Sequence, residues 1–202
     1  MPIKRLSQSG LLTFAKHSSV LAGNAPFAPN SFDLLETTTL TTTASSVTFS
    51  GLGAYSDYKH LQIRAVTRDT RAISGANNAI MRFNGDTGSN YRQLHALKGD
   101  GSSVSSYAEA QSSSIIPFAS PSASDTANAF TTAVIDLLDA FSANKYTTSR
   151  SLRGTNLAAA YATQVVLASG LWMNTAALTE VSFEPISASF AIGSRFSLYG
   201  VK

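Results

Sequence analysis

The string Phe83 to Tyr91, FNGDTGSNY, is where residue types and spacing in this 202-residue chain come nearest to a chemical site. Its Asn, Asp and Gly residues are of the kind that place side-chain oxygens and carbonyls around a hard cation such as calcium. Asp86 is its sole carboxylate, however, and a site of ~6 oxygen ligands draws more negative charge than that. An Asx-turn hairpin that needs no metal is the favoured reading of Asn84 to Tyr91, with calcium as the alternative. His17, His60 and His95 lack metal-ligand spacing and sit in different contexts, so a core or surface role is expected for each. Asp136 and Asp139 would form a carboxylate pair on a helical turn. No acid partner or substrate-gripping aromatics cluster beside them, which makes them solvated carboxylates at a loop or strand end. Trp172, the single tryptophan, lies in SGLWMN. With Tyr91 and Tyr107 it makes up the candidate glycan or interface contacts, and for the indole a core or subunit-interface anchor is the favoured role. Gly75 and Gly99-Asp100-Gly101 mark turns without phosphate-binding spacing. With no cysteine, thiolate metal sites, cysteine nucleophiles and disulfides are excluded; no catalytic residue, cofactor or metal is expected.

The elements that would carry these residues follow a period of two. In Lys59 to Arg68, KHLQIRAVTR, Leu61, Ile63 and Ala65 alternate with Gln62 and Arg64, the pattern of a half-buried strand. Val47 to Phe49 and the Thr-rich run Thr37 to Thr43 precede it; Ala79 to Phe83 follows and ends in Asn84-Gly85, a hairpin-type turn signal. Ser113 to Phe118, Ala129 to Leu137, Tyr146 to Arg153, Ala160 to Ser169, Leu178 to Phe183 and Arg195 to Val201 complete the series. Thr132 to Phe141 (TAVIDLLDAF) and Leu157 to Ala162 compete as short helices, and Gly99 to Pro121 reads as a long surface loop interrupted by one strand. Short strands separated by Gly, Asn, Asp, Ser or Pro predict an all-β protein, an antiparallel two-sheet β-sandwich of jelly-roll-like type.

The charges divide the chain. Residues 1–32 hold Lys4, Arg5 and Lys16 and no acid, which equals the whole net charge of +3; beyond them twelve basic and twelve acidic residues cancel. This start is weighed as a disordered tail, a transit peptide or an arm that orders against a partner. Leu11, Leu12, Phe14, Val20, Leu21 and Phe27 favour the arm, because a solvated tail has no need of them. The expectation is an extended docking arm, 1–32, ahead of a sandwich body, 33–202, with Lys4, Arg5, Leu11, Leu12, Phe14, Lys16, Leu21 and Phe27 as docking residues. Its apolar stretches are too short to span a membrane. A pI of 9.3 raises nucleic acid as a partner, yet the field is weak and no Lys/Arg run exceeds two residues. Charged residues are 13% of the chain, against ~25% in typical soluble domains, while Ser and Thr number 50. A surface of hydroxyls and amides is suited to being covered by neighbours, and a homo-oligomer, a trimer among the options, would protect its strand edges.

The segments SSVLAGNAPF (18–27), YKHLQIRAVTR (58–68), RFNGDTGSNY (82–91), ASGLWMNTAALTEVSF (168–183) and GSRFSLYGVK (193–202) resemble, in order, small virion structural proteins of tailed bacteriophages, often described as tail-fibre or tail-associated proteins. The resemblance implies a non-enzymatic, capsid- or tail-attached protein in the virion, with other virion proteins as partners, and carries over no catalytic residue. A tail or fibre component is slightly favoured over a capsid cement or decoration protein; a module binding host surface glycan is the further alternative.

Overall fold

The computed structural model of the chain describes residues 31–99, 102–108, 111–155 and 164–202. Among them run thirteen strands: β1 Phe32–Thr39, β2 Val47–Ser50, β3 His60–Thr67, β4 Asn77–Phe83, β5 Tyr91–Gly99, β6 Val104–Tyr107, β7 Gln111–Ser112, β8 Ile115–Ser120, β9 Thr131–Leu138, β10 Thr147–Thr155, β11 Gln164–Trp172, β12 Glu180–Pro185 and β13 Arg195–Val201. A 3-10 turn at Leu52–Tyr55 is the one helical element among the described residues.

These strands form two antiparallel sheets. The smaller has the order β2-β12-β4-β8; the larger runs β1-β13-β3-β9-β10-β11-β5-β6, with β7 also on β5. Eight strands, β1, β2, β3, β4, β8, β9, β12 and β13, alternate so that, counted in chain order, one sheet holds the first, eighth, third and sixth and the other the second, seventh, fourth and fifth. That is the connectivity of a jelly roll, the all-β sandwich expected from the strand pattern. Two excursions are added to it. The chain makes β5–β7 between the fourth and fifth strands and β10–β11 between the sixth and seventh, and both extend the large sheet beyond β9.

Alternation explains the burial. Leu61, Ile63 and Ala65 of β3 and Ala133, Ile135 and Leu137 of β9 point inward against Val47, Phe49, Met81, Phe83, Val181 and Phe183 of the small sheet. Between the sheets Phe118, Phe183, Phe190 and Phe196 form a cluster with neighbouring ring centroids 5.0 to 6.3 Å apart, and each fully buried phenylalanine contributes roughly 1.5–3 kcal/mol.

The strand expected over Ala129 to Leu137 is present, the competing helix is not, and two further segments hold strands that the sequence reading did not assign. Thr132 to Phe141 is strand over most of its length, not helix, because β3 and β10 pair with β9 on both sides and its apolar residues alternate. Tyr91–Gly99 is a nine-residue strand although QLHALK has helix-forming composition. The stretch Gly99 to Pro121 contains β6 and β7 in addition to β8. The helix alternative at Leu157 to Ala162 lies outside the described residues.

At the first edge of the large sheet, the Tyr58 ring lies flat on the backbone of Gly200, where a Cβ would come within 2.5 Å of it. The Tyr58 hydroxyl donates to Asp33 Oδ2 at 2.6 Å, tying β1 to the entry of β3. Burial first, and the neighbouring carboxylate second, push this phenol up to about 12. Gly200→Ala is expected to displace the ring and lower the unfolding free energy by roughly 1–3 kcal/mol, measured by urea denaturation.

Candidate functional site

The FNGDTGSNY turn joins β4 to β5. Asn84 and Gly85 both have positive φ, 51° and 65°, the conformation an Asn-Gly hairpin turn demands. Asp86 then accepts from the Gly88 N–H at 2.8 Å through Oδ1, from Asn90 Nδ2 at 3.0 Å through Oδ2, and from Trp172 Nε1 at 2.8 Å through the same oxygen. The Tyr91 hydroxyl donates to the Asp86 carbonyl at 2.9 Å and receives the Phe83 N–H at 3.1 Å. Asn84 Oδ1 accepts from the Thr179 and Glu180 N–H groups while its Nδ2 donates to the Ala177 carbonyl. Donor hydrogens face both Asp86 oxygens, which is the geometry of an Asx turn rather than of a cation ligand. The hydrogen bond from Trp172, then that from Asn90, hold the Asp86 carboxyl below its ordinary range.

Tyr91 and Trp172 are accordingly buried, packed with Phe83 at centroid distances of 5.6 to 6.4 Å. Burial withdraws both rings from any surface glycan and gives Trp172 the role of core anchor. Tyr107, on the edge strand β6, stays partly exposed. Asp136 and Asp139 do not form a pair. Asp136 is on the outer face of β9 with Gln62 Nε2 at 2.9 Å and Arg150 Nη2 at 3.1 Å, whereas Asp139 follows the strand and receives Lys145 Nζ at 2.7 Å. His60 Nδ1 accepts the Asp139 N–H at 2.9 Å, and His95 lies on β5 opposite Ser169. Among the described residues no three His, Cys, Asp or Glu side chains gather as a metal would require. His17 and the docking residues Lys4, Arg5, Leu11, Leu12, Phe14, Lys16, Leu21 and Phe27 lie outside the described residues.

What the strand pattern alone does not disclose is the outer face of the large sheet. Following the pairing register, Ser197, Arg64, Val134, Leu152, Leu167, Leu97 and Ser106 stand side by side in one row across seven strands. The next row carries Thr132, Gly154, Val165, Gly99 and Val104. Val134, Leu152, Leu167, Leu97, Val165 and Val104 are thus contiguous, and they are 37% to 77% exposed. Gly154 has no side chain there, which leaves a hollow of about 270 Å³ lined by Val134, Leu152 and Val165. On the opposite flank a polar row, Gln62, Asp136 and Arg150, is hydrogen-bonded along its length. Arg64 lies 4.7 Å over the Tyr199 ring and 5.2 Å over that of Phe32. An antiparallel sheet normally turns polar residues to solvent on its open face, and contiguous apolar patches of this kind mark interaction surfaces. The sequence signal was present as Leu and Val at the outward positions of otherwise alternating strands, but their adjacency depends on register.

No family model matches the sequence, and no curated protein matches it. Among solved structures, an alginate lyase in complex with an alginate tetrasaccharide matches with a TM-score of 0.24 and 9% identity, over 67% of this chain and 70% of that one. Likeness at that level bears neither on activity nor on its absence.

One buried charge stands apart. Arg153 on the inner face of β10 is 5% exposed, and its Nε and Nη1 have no hydrogen-bond partner. Burial pushes its guanidinium below the ordinary arginine value, with the Tyr107 hydroxyl opposing.

Three outcomes are expected. Asp86→Ala strips the acceptor from three donors and lowers stability by about 1.5–3 kcal/mol, with a shift of Trp172 fluorescence. In the native protein, because the Asp86 carboxyl is depressed on folding, its contribution is complete above the ordinary carboxylate range near pH ~4 and is lost as pH falls below it; an acid titration of Trp172 emission reads this window, and Asp86→Ala lacks it. Arg153→Met removes a buried charge whose Nε and Nη1 are unpartnered and raises the urea midpoint, by the equivalent of about 1 kcal/mol.

Proposed function

We propose that the protein is a non-enzymatic structural component of a tailed-phage virion, anchored through residues 1–32 to tail or capsid proteins, with a tail or fibre position favoured over capsid cement. The observation that carries the reading is the exposed apolar row on the outer face of the large sheet, a surface whose free energy falls when another protein covers it. Poverty of charge, abundance of Ser and Thr, and the resemblance of five segments to small virion proteins support the same reading. The jelly roll is compatible with it, since that sandwich serves capsid and lectin domains alike, but fold by itself carries no function.

A glycan-binding role would rest on Tyr107 alone among the three aromatics first considered, because Tyr91 and Trp172 are buried. Copy number against the major capsid protein in purified particles, by quantitative mass spectrometry, tests the proposal. A few to a few dozen copies are expected for a tail or fibre component and hundreds for a cement protein; none would overturn it. A chain lacking residues 1–32 is expected to drop out of particles, and normal incorporation would remove the anchoring role of that segment.

A further inference from the structure

The inner face of the added strands carries a charge for which the jelly roll has no use. The small sheet ends at β8, where Ile115 packs on Gly170 and Ser120 is bonded to Thr67. Beyond it Ala96, Val166 and Ala168 are buried as a group apart from the main core. In the pairing register Arg153 stands opposite Val166, Val166 opposite Lys98 and Lys98 opposite Ser105, which puts these residues in one inward row across β10, β11, β5 and β6. The neighbouring row is Ser151, Ala168, Ala96 and Tyr107.

Arg153 and Tyr107 start three strand spacings apart, ~14 Å at ~4.8 Å each. Their side chains nevertheless interact, so they reach toward each other across Val166, Ala168 and Ala96. Those small side chains leave the space that the two long ones cross. Arg153 is 5% exposed, while Tyr107, on the edge strand, is 38% exposed. The guanidinium is therefore enclosed on the sheet and approached from the Tyr107 side.

The hydrogens of Nε and Nη1 have no acceptor, and among the described residues Arg153 has no ion pair. A buried charge is tolerated when it is paired and hydrogen-bonded. Lys98 adds a second positive charge to the same row, and neither row contains an acid. A water molecule would accept a hydrogen bond here without balancing the charge. An apolar group would leave the donors unpaired, and a cation would be repelled.

We infer that the inner face at Arg153 is a binding site for an oxyanion group, such as phosphate, sulfate or carboxylate, held by Arg153 with Lys98 and Tyr107 beside it. Such a group offers several oxygens to the Nε and Nη1 hydrogens at once and supplies the missing negative charge. Charge-assisted hydrogen bonds in a water-poor place are the strong ones. Because the free chain bears the cost of desolvating Arg153, an anion bound there stabilises the folded state by mass action. The site does not depend on the virion reading.

The test is titration of the full chain with sodium phosphate, sulfate and acetate from about 0.1 to 20 mM, at ionic strength held constant with chloride. The readouts are the Arg153 Nε–H resonance and the urea midpoint, beside Arg153→Met and the milder Arg153→Lys, with circular dichroism verifying each fold. General salting-out by sulfate or phosphate acts on both chains alike and without saturation. The expected result is a saturating shift of the Nε–H resonance and a saturating rise in midpoint for the native chain, both absent in Arg153→Met, with affinity lowered at least about tenfold in Arg153→Lys. Lys98→Gln and Tyr107→Phe are each expected to weaken binding by roughly two- to tenfold. The order of response among the three anions names the favoured group. A native chain that shows no saturating response to any of them overturns the proposal, as does an equal response in Arg153→Met or unchanged affinity in both Lys98→Gln and Tyr107→Phe. Asp100 and Glu109 lie outside the described residues; if Asp100→Asn or Glu109→Gln creates a response that the native chain lacks, the chain's own carboxylate fills the site and no external ligand is needed.

Discussion

Everything in this molecule depends on two sheets keeping their apolar faces together at a fixed spacing. Phe118, Phe183, Phe190 and Phe196 fill the gap, each in contact with rings from other strands. Because side chains alternate across a strand, a one-residue slip in β3, β12 or β13 would exchange Ile63, Phe183 or Phe196 for a polar neighbour. The cost of that exchange fixes the register of the eight jelly-roll strands, and these in turn fix where the added strands attach.

The added strands need their own anchorage, which the Asp86 turn supplies. Trp172 ends β11, Tyr91 begins β5, and the carboxylate and carbonyl of Asp86 bind both rings at their polar ends. Asn84 ties the same turn to the chain leading into β12. One nine-residue segment therefore couples the excursion sheet to the small sheet, through charge-assisted hydrogen bonds in a partly water-excluded place where they are stronger than at an open surface. Just past the end of β3, Arg68 has a similar function. Its guanidinium donates to the carbonyls of Ala123, Asp125, Thr126 and Ala129 and so holds the connection between β8 and β9.

With the scaffold held in this way, the outer face of the large sheet is free to be apolar without endangering the core. Leu152 and Leu167 contribute little to the single chain, since their side chains remain about half exposed. Their free energy is available to association. The polar row of Gln62, Asp136 and Arg150 borders them and satisfies itself internally.

Residue pattern alone determined the fold class and most of the jelly-roll strands: alternation in KHLQIRAVTR, the Asn-Gly turn after Phe83 and the strand run Arg195 to Val201 all express local rules that tertiary structure leaves in force. It also showed that FNGDTGSNY holds too few carboxylates for a typical calcium site. Tertiary structure decided the rest, because pairing between distant strands overrides local preference. It settled TAVIDLL, which the pattern offered both as strand and as short helix, as part of β9, made YRQLHALKG the strand β5, and separated Asp136 from Asp139. It buried Tyr91 and Trp172 around one carboxylate. It also aligned Val134, Leu152, Leu167 and Leu97, which are far apart in the chain, into a single apolar row whose existence depends on register and therefore on the folded sheet.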